Sequence, residues 1–136
     1  MKIVQDYFRK FDFKPEDIKR YLRSALRDLE IAEKDKFPEV KFTYSYQALI
    51  KTGIALLAKV RKLKVRSVPG HHVKILDEMG EILKREDVVV IGNAMRMKRN
   101  ADLYGGGEIV GEKETDDYFK FVQTVIAEAG KKIGNG

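Results

Sequence analysis

The segment that decides the fold is residues 39–62, EVKFTYSYQALIKTGIALLAKVRK, a long and strongly apolar stretch. Its large apolar side chains recur every three or four residues, the spacing that lines one face of an α-helix. That face is broad and comprises Phe42, Tyr46, Leu49, Ile50, Gly53, Ile54, Leu57 and Val60. Alanines on the other faces allow close approach of neighbouring helices. The segment predicts a largely buried helix, in which Tyr44 and Tyr46 pack in the core with their hydroxyls at its rim.

Helical patterns also flank this segment. Before it, Pro15 followed by two acidic residues is typical of a helix start, and apolar residues then recur at helical spacing, so we predict a helix over about residues 15–34. After it, a loop over residues 67–70 precedes a third helix that opens with His71, and a fourth runs from about Arg85 to Tyr104. The β-branched residues 88–91 could form a strand, but we find no second strand for pairing and assign them to the fourth helix.

The ends of the chain carry weaker patterns. Residues 1–14 hold four aromatic residues without a clear period, so they form either a short helix or an arm that docks on the bundle. Residues 105–113 are a loop, Thr115 is expected to cap a fifth helix, and residues 131–136 are expected to form a frayed tail. Together the patterns predict one all-α domain over residues 1–136, an up-and-down bundle of four main helices plus a fifth short or peripheral helix.

Composition limits the class of protein. The chain has 136 residues, 43% of them hydrophobic, which allows one core. No window approaches 18 consecutive apolar residues, and charges interrupt the first six positions too early for a signal peptide. We therefore expect a cytoplasmic protein that does not enter the membrane. The lack of cysteine excludes disulfides, thiolate zinc sites and cysteine nucleophiles.

The charge distribution favours an anionic partner. The net charge is +6, and basic surfaces attract phosphate groups. One run without any acid contains Lys59, Arg61, Lys62, Lys64, Arg66 and Lys74. Such a run is either a solvated face or part of an anion-binding surface. It also contains His71 and His72, which are either surface or capping groups or functional ones. No His-x3-His or Glu-x2-His spacing is present, so neither a metal nor a cofactor is indicated.

A second polar cluster occupies residues 95–104, MRMKRNADLY, directly before three consecutive glycines. Because glycines end a helix, the cluster should lie on the last turns of the fourth helix. One interpretation is a solvated helix end with an intrahelical pair between Arg99 and Asp102. The other is a binding site, whose candidate residues are Arg96, Lys98, Arg99, Asn100, Asp102 and Tyr104.

Three elements, taken in order, resemble the HEPN superfamily (higher eukaryotes and prokaryotes nucleotide-binding). They are Tyr46-Gln47-Ala48 in the second helix, Pro69-Gly70-His71-His72 opening the third, and residues 95–104 closing the fourth. The resemblance covers about residues 15–130. It implies a bundle of four main helices that usually dimerises, with the fourth-helix motifs of both copies lining a shared cleft. Many members are metal-independent endoribonucleases, often toxins or defence effectors paired with a small nucleotidyltransferase.

The resemblance also assigns roles to individual residues. Active members carry an Arg that binds the scissile phosphate, and a His four to six residues later that acts in proton transfer. Arg99 matches this Arg, and Asn100 matches the polar residue after it. Tyr104 stands where active members have the His, and an unperturbed phenol, with a pKa of about 10, is a poor general base near neutral pH. His71 or His72 would supply the imidazole if the start of the third helix folds toward the cleft.

Three functions remain as alternatives. The first is a dimeric module that binds RNA or a nucleotide through Arg96, Lys98, Arg99 and Asn100, by itself or with a nucleotidyltransferase in a toxin–antitoxin or defence system. The second is a metal-independent endoribonuclease in which Arg99 stabilises the charge on the phosphate and Tyr104, His71 or His72 moves the proton. The third is a purely structural dimer, in which Arg99 and Asp102 pair across the interface.

Overall fold

The computed structural model describes the backbone of residues 7–105 and 110–134, and the side chains of these residues except 102–105. This part of the chain is mostly helical. Its five α-helices are α1 Pro15–Lys34, α2 Pro38–Leu56, α3 His71–Leu83, α4 Glu86–Gly105 and α5 Glu112–Gly134. A π-helical turn, Leu57–Arg61, extends α2, and two short strands are β1 Phe8–Lys10 and β2 Leu63–Val65. In these ranges no helix has both the length and the apolar character that crossing a bilayer requires.

The two strands are the main departure from the predicted all-α architecture. β1 pairs with β2 in an antiparallel register that places Phe8 opposite Val65 and Lys10 opposite Leu63. Neither the short helix nor the docking arm predicted for residues 1–14 included this pairing; residues 1–6 lie outside the described part. Three residues are too few to show a period, and the partner strand lies far along the chain, so the sequence carried no local signal for the sheet.

Two helices differ from their predicted bounds. The second helix was expected to remain regular to Lys62, but its α-helical part ends at Leu56, and Lys62 adopts a left-handed conformation (φ 55°) after the π-helical turn. The predicted cap at Thr115 is wrong: α5 begins at Glu112, and the Thr115 N–H donates to the Gly111 carbonyl. α5 has 23 residues and continues to Gly134, and the shortest α-helix of the described residues is α3, with 13 residues.

The core is centred on α2, which packs against α1, α3 and α5, while α3 also packs against α4. The largest of the side chains that are almost completely buried come from α2 and its extension and from the three helices after it: Tyr46, Leu49, Leu56, Leu57, Ile75, Leu76, Met79, Met95, Val88, Val122 and Val125. This packing brings the first turn of α3 and the last turns of α4 together beside the middle of α2.

Candidate functional site

A cleft of about 460 Å³ opens where the start of α3 meets the last turns of α4. One wall is the loop of residues 67–70 with the first three residues of α3. The opposite wall comes from α4. Five of the side chains predicted from the sequence as site residues lie together in this lining, and they are His71, His72, Arg96, Arg99 and Asn100.

A tight turn before α3 presents the two histidines to the cleft. Gly70 has a φ of 82°, a left-handed conformation that glycine adopts without strain. The His71 N–H donates to the Val68 carbonyl across this turn, at 3.1 Å. Both imidazoles consequently stand in the first turn of α3, with their ring centroids 4.4 Å apart.

The hydrogen bond of the His71 ring defines its free nitrogen. Nδ1 lies 2.8 Å from the carbonyl oxygen of Val68. A carbonyl oxygen can only accept, so Nδ1 carries the proton. In the neutral ring the lone pair is therefore on Nε2, which is the nitrogen able to accept a proton from a ligand.

His72 is paired with a buried tyrosine of α2. The Tyr46 hydroxyl lies 2.8 Å from His72 Nδ1. Burial raises the pKa of Tyr46 to about 12, although Arg99 and Arg96 oppose this shift. Burial is the main cause that lowers the pKa of His72 to about 4, and the neighbouring His71, Arg99 and Arg96 contribute to the same shift. Both groups are therefore neutral at pH 7.

The direction of this hydrogen bond follows from burial. Tyr46 is 1% exposed, and a buried phenolic proton without an acceptor is costly. The phenol thus donates to Nδ1, which leaves the His72 proton on Nε2. Sequence reasoning assigned Tyr46 to the core and missed this role. Two features of the sequence could have indicated it: Tyr46 places a hydroxyl on an otherwise apolar helix face, and it belongs to one of the three elements of the family resemblance.

The two arginines supply the positive charge of the cleft. The Arg99 guanidinium carbon lies 5.7 Å from the centroid of the Tyr46 ring, within the range of a cation–π contact. Arg96 Nε donates to Asn93 Oδ1 at 3.1 Å. Among the side chains that the structure describes, neither arginine forms an ion pair with a carboxylate. Two guanidinium groups beside a neutral imidazole make the cleft suited to an anion.

Of the other predicted site residues, Lys98 does not join this lining. Lys98 lies two residues after Arg96, so the two side chains leave α4 on nearly opposite sides. Its Nζ is 3.1 Å from a carboxylate oxygen of Glu114 in α5. The side chains of Asp102 and Tyr104 lie outside the described residues, so the Arg99–Asp102 pair and the catalytic role of Tyr104 stay predictions.

Three cations of the basic run of residues 59–74 contact carboxylates or aromatic rings outside the cleft. Arg61 pairs with two carboxylates of α3, at 2.9 Å from Glu78 and 3.1 Å from Glu81. Lys64 and Lys74 lie over aromatic rings near the start of the chain, at 4.8 and 5.7 Å from the ring centroids. The guanidinium groups in the cleft therefore come from α4, while this run contributes the two histidines.

Comparison of the chain with models of known protein families, with curated proteins and with solved structures found no match. Among the described residues, no group of three or more histidine, aspartate or glutamate side chains is arranged to hold a metal ion. The chemistry of the cleft itself is what indicates a ligand.

Proposed function

We propose that the protein is a HEPN-like helical module that binds phosphate groups of RNA or of a nucleotide in the cleft between α3 and α4. The observation that carries this proposal is the convergence of Arg96 and Arg99 in a cleft whose described lining residues include no carboxylate. A guanidinium offers several donors in a planar fork that matches two phosphate oxygens at once. The N-terminus of α3, a helix of 13 residues, adds partial positive charge to the same wall.

Two neutral groups complete the recognition of phosphate. Nε2–H of His72 donates a hydrogen bond without adding charge, because the Tyr46 hydroxyl occupies Nδ1. The Asn100 side chain can both donate and accept. The attraction for an anion at neutral pH accordingly comes from the arginines, and the neutral donors fix the orientation of the bound group.

The assembly is proposed to be a homodimer joined through α4. Val90 and Met97 are 69% and 62% exposed, and their separation of seven residues places them on one face of the helix. In this arrangement α1, α2, α4 and α5 are the four long helices of a HEPN-like bundle. A nucleotidyltransferase partner and a place in a toxin–antitoxin or defence system rest on the family resemblance alone, whereas a cytoplasmic location is proposed from the composition of the sequence.

Fluorescence anisotropy with single-stranded RNA in EDTA tests the proposal. We expect the wild-type protein to bind, and Arg99→Ala and Arg96→Ala each to bind about ten- to a hundredfold more weakly, because each loses charge-assisted hydrogen bonds. Arg27→Ala is the matched control, since Arg27 is an exposed arginine of α1 that does not line the cleft. Equal weakening in all three variants would mean that only net charge matters, and the proposed site would be wrong.

A second candidate function, endoribonuclease activity, is favoured by the orientation of His71. Its Nδ1–H is held by the Val68 carbonyl, so Nε2 is free to take the proton of a ribose 2′-hydroxyl. The 2′-oxygen then attacks phosphorus as the bond to the 5′-oxygen breaks, an arginine stabilises the charge on the phosphoryl oxygens, and the departing 5′-oxygen takes up the proton from the His71 imidazolium. RNA cleavage in EDTA that is lost in His71→Gln and Arg99→Ala, with RNA binding retained in His71→Gln, would support it. Cleavage that survives Arg99→Ala would indicate a contaminating nuclease, and Tyr104→Phe tests the predicted tyrosine.

A further inference from the structure

A second cavity, of about 270 Å³, lies directly beside the cleft. Its lining combines apolar and aromatic side chains with a lysine and a serine, and consists of Phe13, Tyr21, Ile54, Lys64, Val65, Ser67 and His71. Ser67 and His71 also line the cleft of the arginines. The two cavities are thus separated by one loop residue and one imidazole ring.

Two aromatic rings, those of Phe13 and Tyr21, line this second cavity. The rings of Phe13 and Tyr21 are 5.9 Å apart and nearly perpendicular, at 74°. Phe11 packs on Phe13 at 4.7 Å, and the Lys64 ammonium lies 4.8 Å from the Phe11 centroid. Phe13 and Tyr21 are only partly buried, so their rings remain accessible from the cavity. The contacts among the rings hold them in place before any ligand binds.

The size and chemistry of this cavity fit a nucleobase. Its volume is below the range of about 300–1,000 Å³ that is typical for drug-sized ligands, which suits a single planar ring system. Aromatic side chains stack on the π-face of any base, and a nearby cation and hydroxyls can contact its polar edges. A base inside a duplex cannot reach such a pocket, so the ligand must be unpaired.

We propose that the cavity lined by Phe13 and Tyr21 is a nucleobase subsite, which holds the base of an unpaired nucleotide whose phosphate lies between Arg96 and Arg99. His71, which lines both cavities, then lies beside the ribose. This inference rests on the proposed function, because it requires the phosphate in the cleft. It adds a prediction that phosphate binding alone does not make: part of the affinity comes from the base.

Two probes of equal charge separate the two contributions. One is a single-stranded adenine ribonucleotide octamer, and the other is an abasic ribose–phosphate chain of the same length. We expect the wild-type protein to bind the octamer about tenfold more tightly than the abasic chain. Tyr21→Leu, which keeps an apolar side chain but removes the aromatic face, should abolish this preference and change the affinity for the abasic chain less than about twofold.

Control variants distinguish the possible failures. Tyr118→Leu replaces another partly buried tyrosine, which packs on Phe42 away from both cavities, and should keep the preference for bases. Equal binding of the two probes by the wild-type protein, or equal weakening of both by Tyr21→Leu, would overturn the nucleobase subsite. Failure of the proposed function has a different signature, in which Arg99→Ala leaves the affinity for both probes unchanged or neither probe binds at all.

Competition experiments tell the two sources of an unpaired nucleotide apart. AMP that displaces the labelled octamer from the wild-type protein, but not from Tyr21→Leu, would support a free nucleotide as the natural occupant. Displacement by unlabelled octamer alone would support an RNA strand. Displacement by ribose 5-phosphate as readily as by AMP would contradict a contribution from the base.

Discussion

His72 and Tyr46 determine the chemical character of the cleft because both remain neutral at physiological pH. Burial is the main cause in each case, and it lowers the pKa of the imidazole to about 4 and raises the pKa of the phenol to about 12. The adjacent arginines reinforce the first shift, since an imidazolium beside two guanidinium groups would be repelled. The charge that an anion meets is therefore that of Arg96 and Arg99.

The low pKa of His72 predicts a loss of stability in acid. The unfolded chain takes up this proton near pH 6.5 and the folded protein only near pH 4, so the free energy of unfolding falls as the pH decreases through that window. We expect His72→Asn to reduce this fall between pH 7 and pH 4 by about 1–2 kcal/mol, a value that allows for solvent around a half-buried ring. Urea titrations of both proteins at the two pH values measure it, and identical falls would contradict the low pKa.

At the residue scale, the sequence predicts the parts of the site that are local. Arg96, Arg99 and Asn100 are neighbours by helical spacing, and the turn at Gly70 places the histidines in a first turn. The bond between Tyr46 and His72 could not be predicted, because its partners are 26 residues apart and meet only through the packing of α2 on α3. The sequence analysis also grouped Lys98 with the arginines, as a member of the polar cluster of residues 95–104, whereas its ion-pair partner lies on α5.

At the scale of elements, glycines in α2 and α4 allow α3 to pack closely against both helices. A Cβ at Gly53 of α2 would collide with Ile75 and lie 2.6 Å from Met79 Sδ. A Cβ at Gly92 of α4 would lie 2.6 Å from Leu76 Cδ2. These close approaches let α3 pack against both helices at once, which is the arrangement that forms the cleft at its first turn.

Substitution of a glycine by alanine should change the stability of the protein in opposite directions at a packed and at an open helix position. Gly53→Ala is expected to destabilise the protein by about 1–3 kcal/mol, because overpacking at the α2–α3 contact exceeds the gain in helix propensity. Gly130→Ala in α5 is the matched control, since a Cβ there meets no atom within 4 Å, and it should stabilise the protein by up to about 1 kcal/mol. Urea unfolding measures both. A neutral Gly53→Ala would show that the two helices are less closely packed.

The helices and the short elements differ in how far the sequence predicts them. The bounds of α1 and α3 follow from periodic apolar residues with proline or a glycine turn at their starts. Residues 88–91 are helical despite their β-branched side chains, with Val88 fully buried in α4. The π-helical turn and the two strands have no period of their own. The strands form by the pairing of β2 with β1, which lies more than 50 residues earlier, a contact that local sequence does not encode.

At the scale of the whole molecule, the pairing of β1 with β2 links the start of the chain to the site. The strand is extended by bonds from the Phe11 N–H to the Lys62 carbonyl and from the Arg66 N–H to the Tyr7 carbonyl. This path carries Phe13 to the cavity beside His71. The proposed base subsite therefore needs Phe13 from the start of the chain, while the phosphate subsite uses Arg96 and Arg99 of α4. The sequence located only the phosphate subsite, because the base subsite forms through contacts between distant segments.

The proposed dimer makes a prediction about α4. Met97→Glu places a charge in the exposed apolar stripe and should convert a dimer to a monomer, as measured by light scattering after size-exclusion chromatography. Leu26→Glu is the control, because Leu26 is an exposed apolar residue of α1 (45%) outside that stripe. A wild-type protein that is monomeric at high concentration would contradict the dimer. A dimer lost in Asp102→Ala would favour the purely structural alternative.

The most direct test of the central claim, that Arg96 and Arg99 bind phosphate groups in the cleft, is the salt dependence of RNA binding. Each phosphate contact with a single strand contributes about 0.7 to the slope of log affinity against log salt concentration. We predict that Arg99→Ala makes this negative slope shallower by about 0.7 relative to the wild type, while Arg27→Ala leaves the slope unchanged. A slope in Arg99→Ala equal to that of the wild-type protein would contradict the claim.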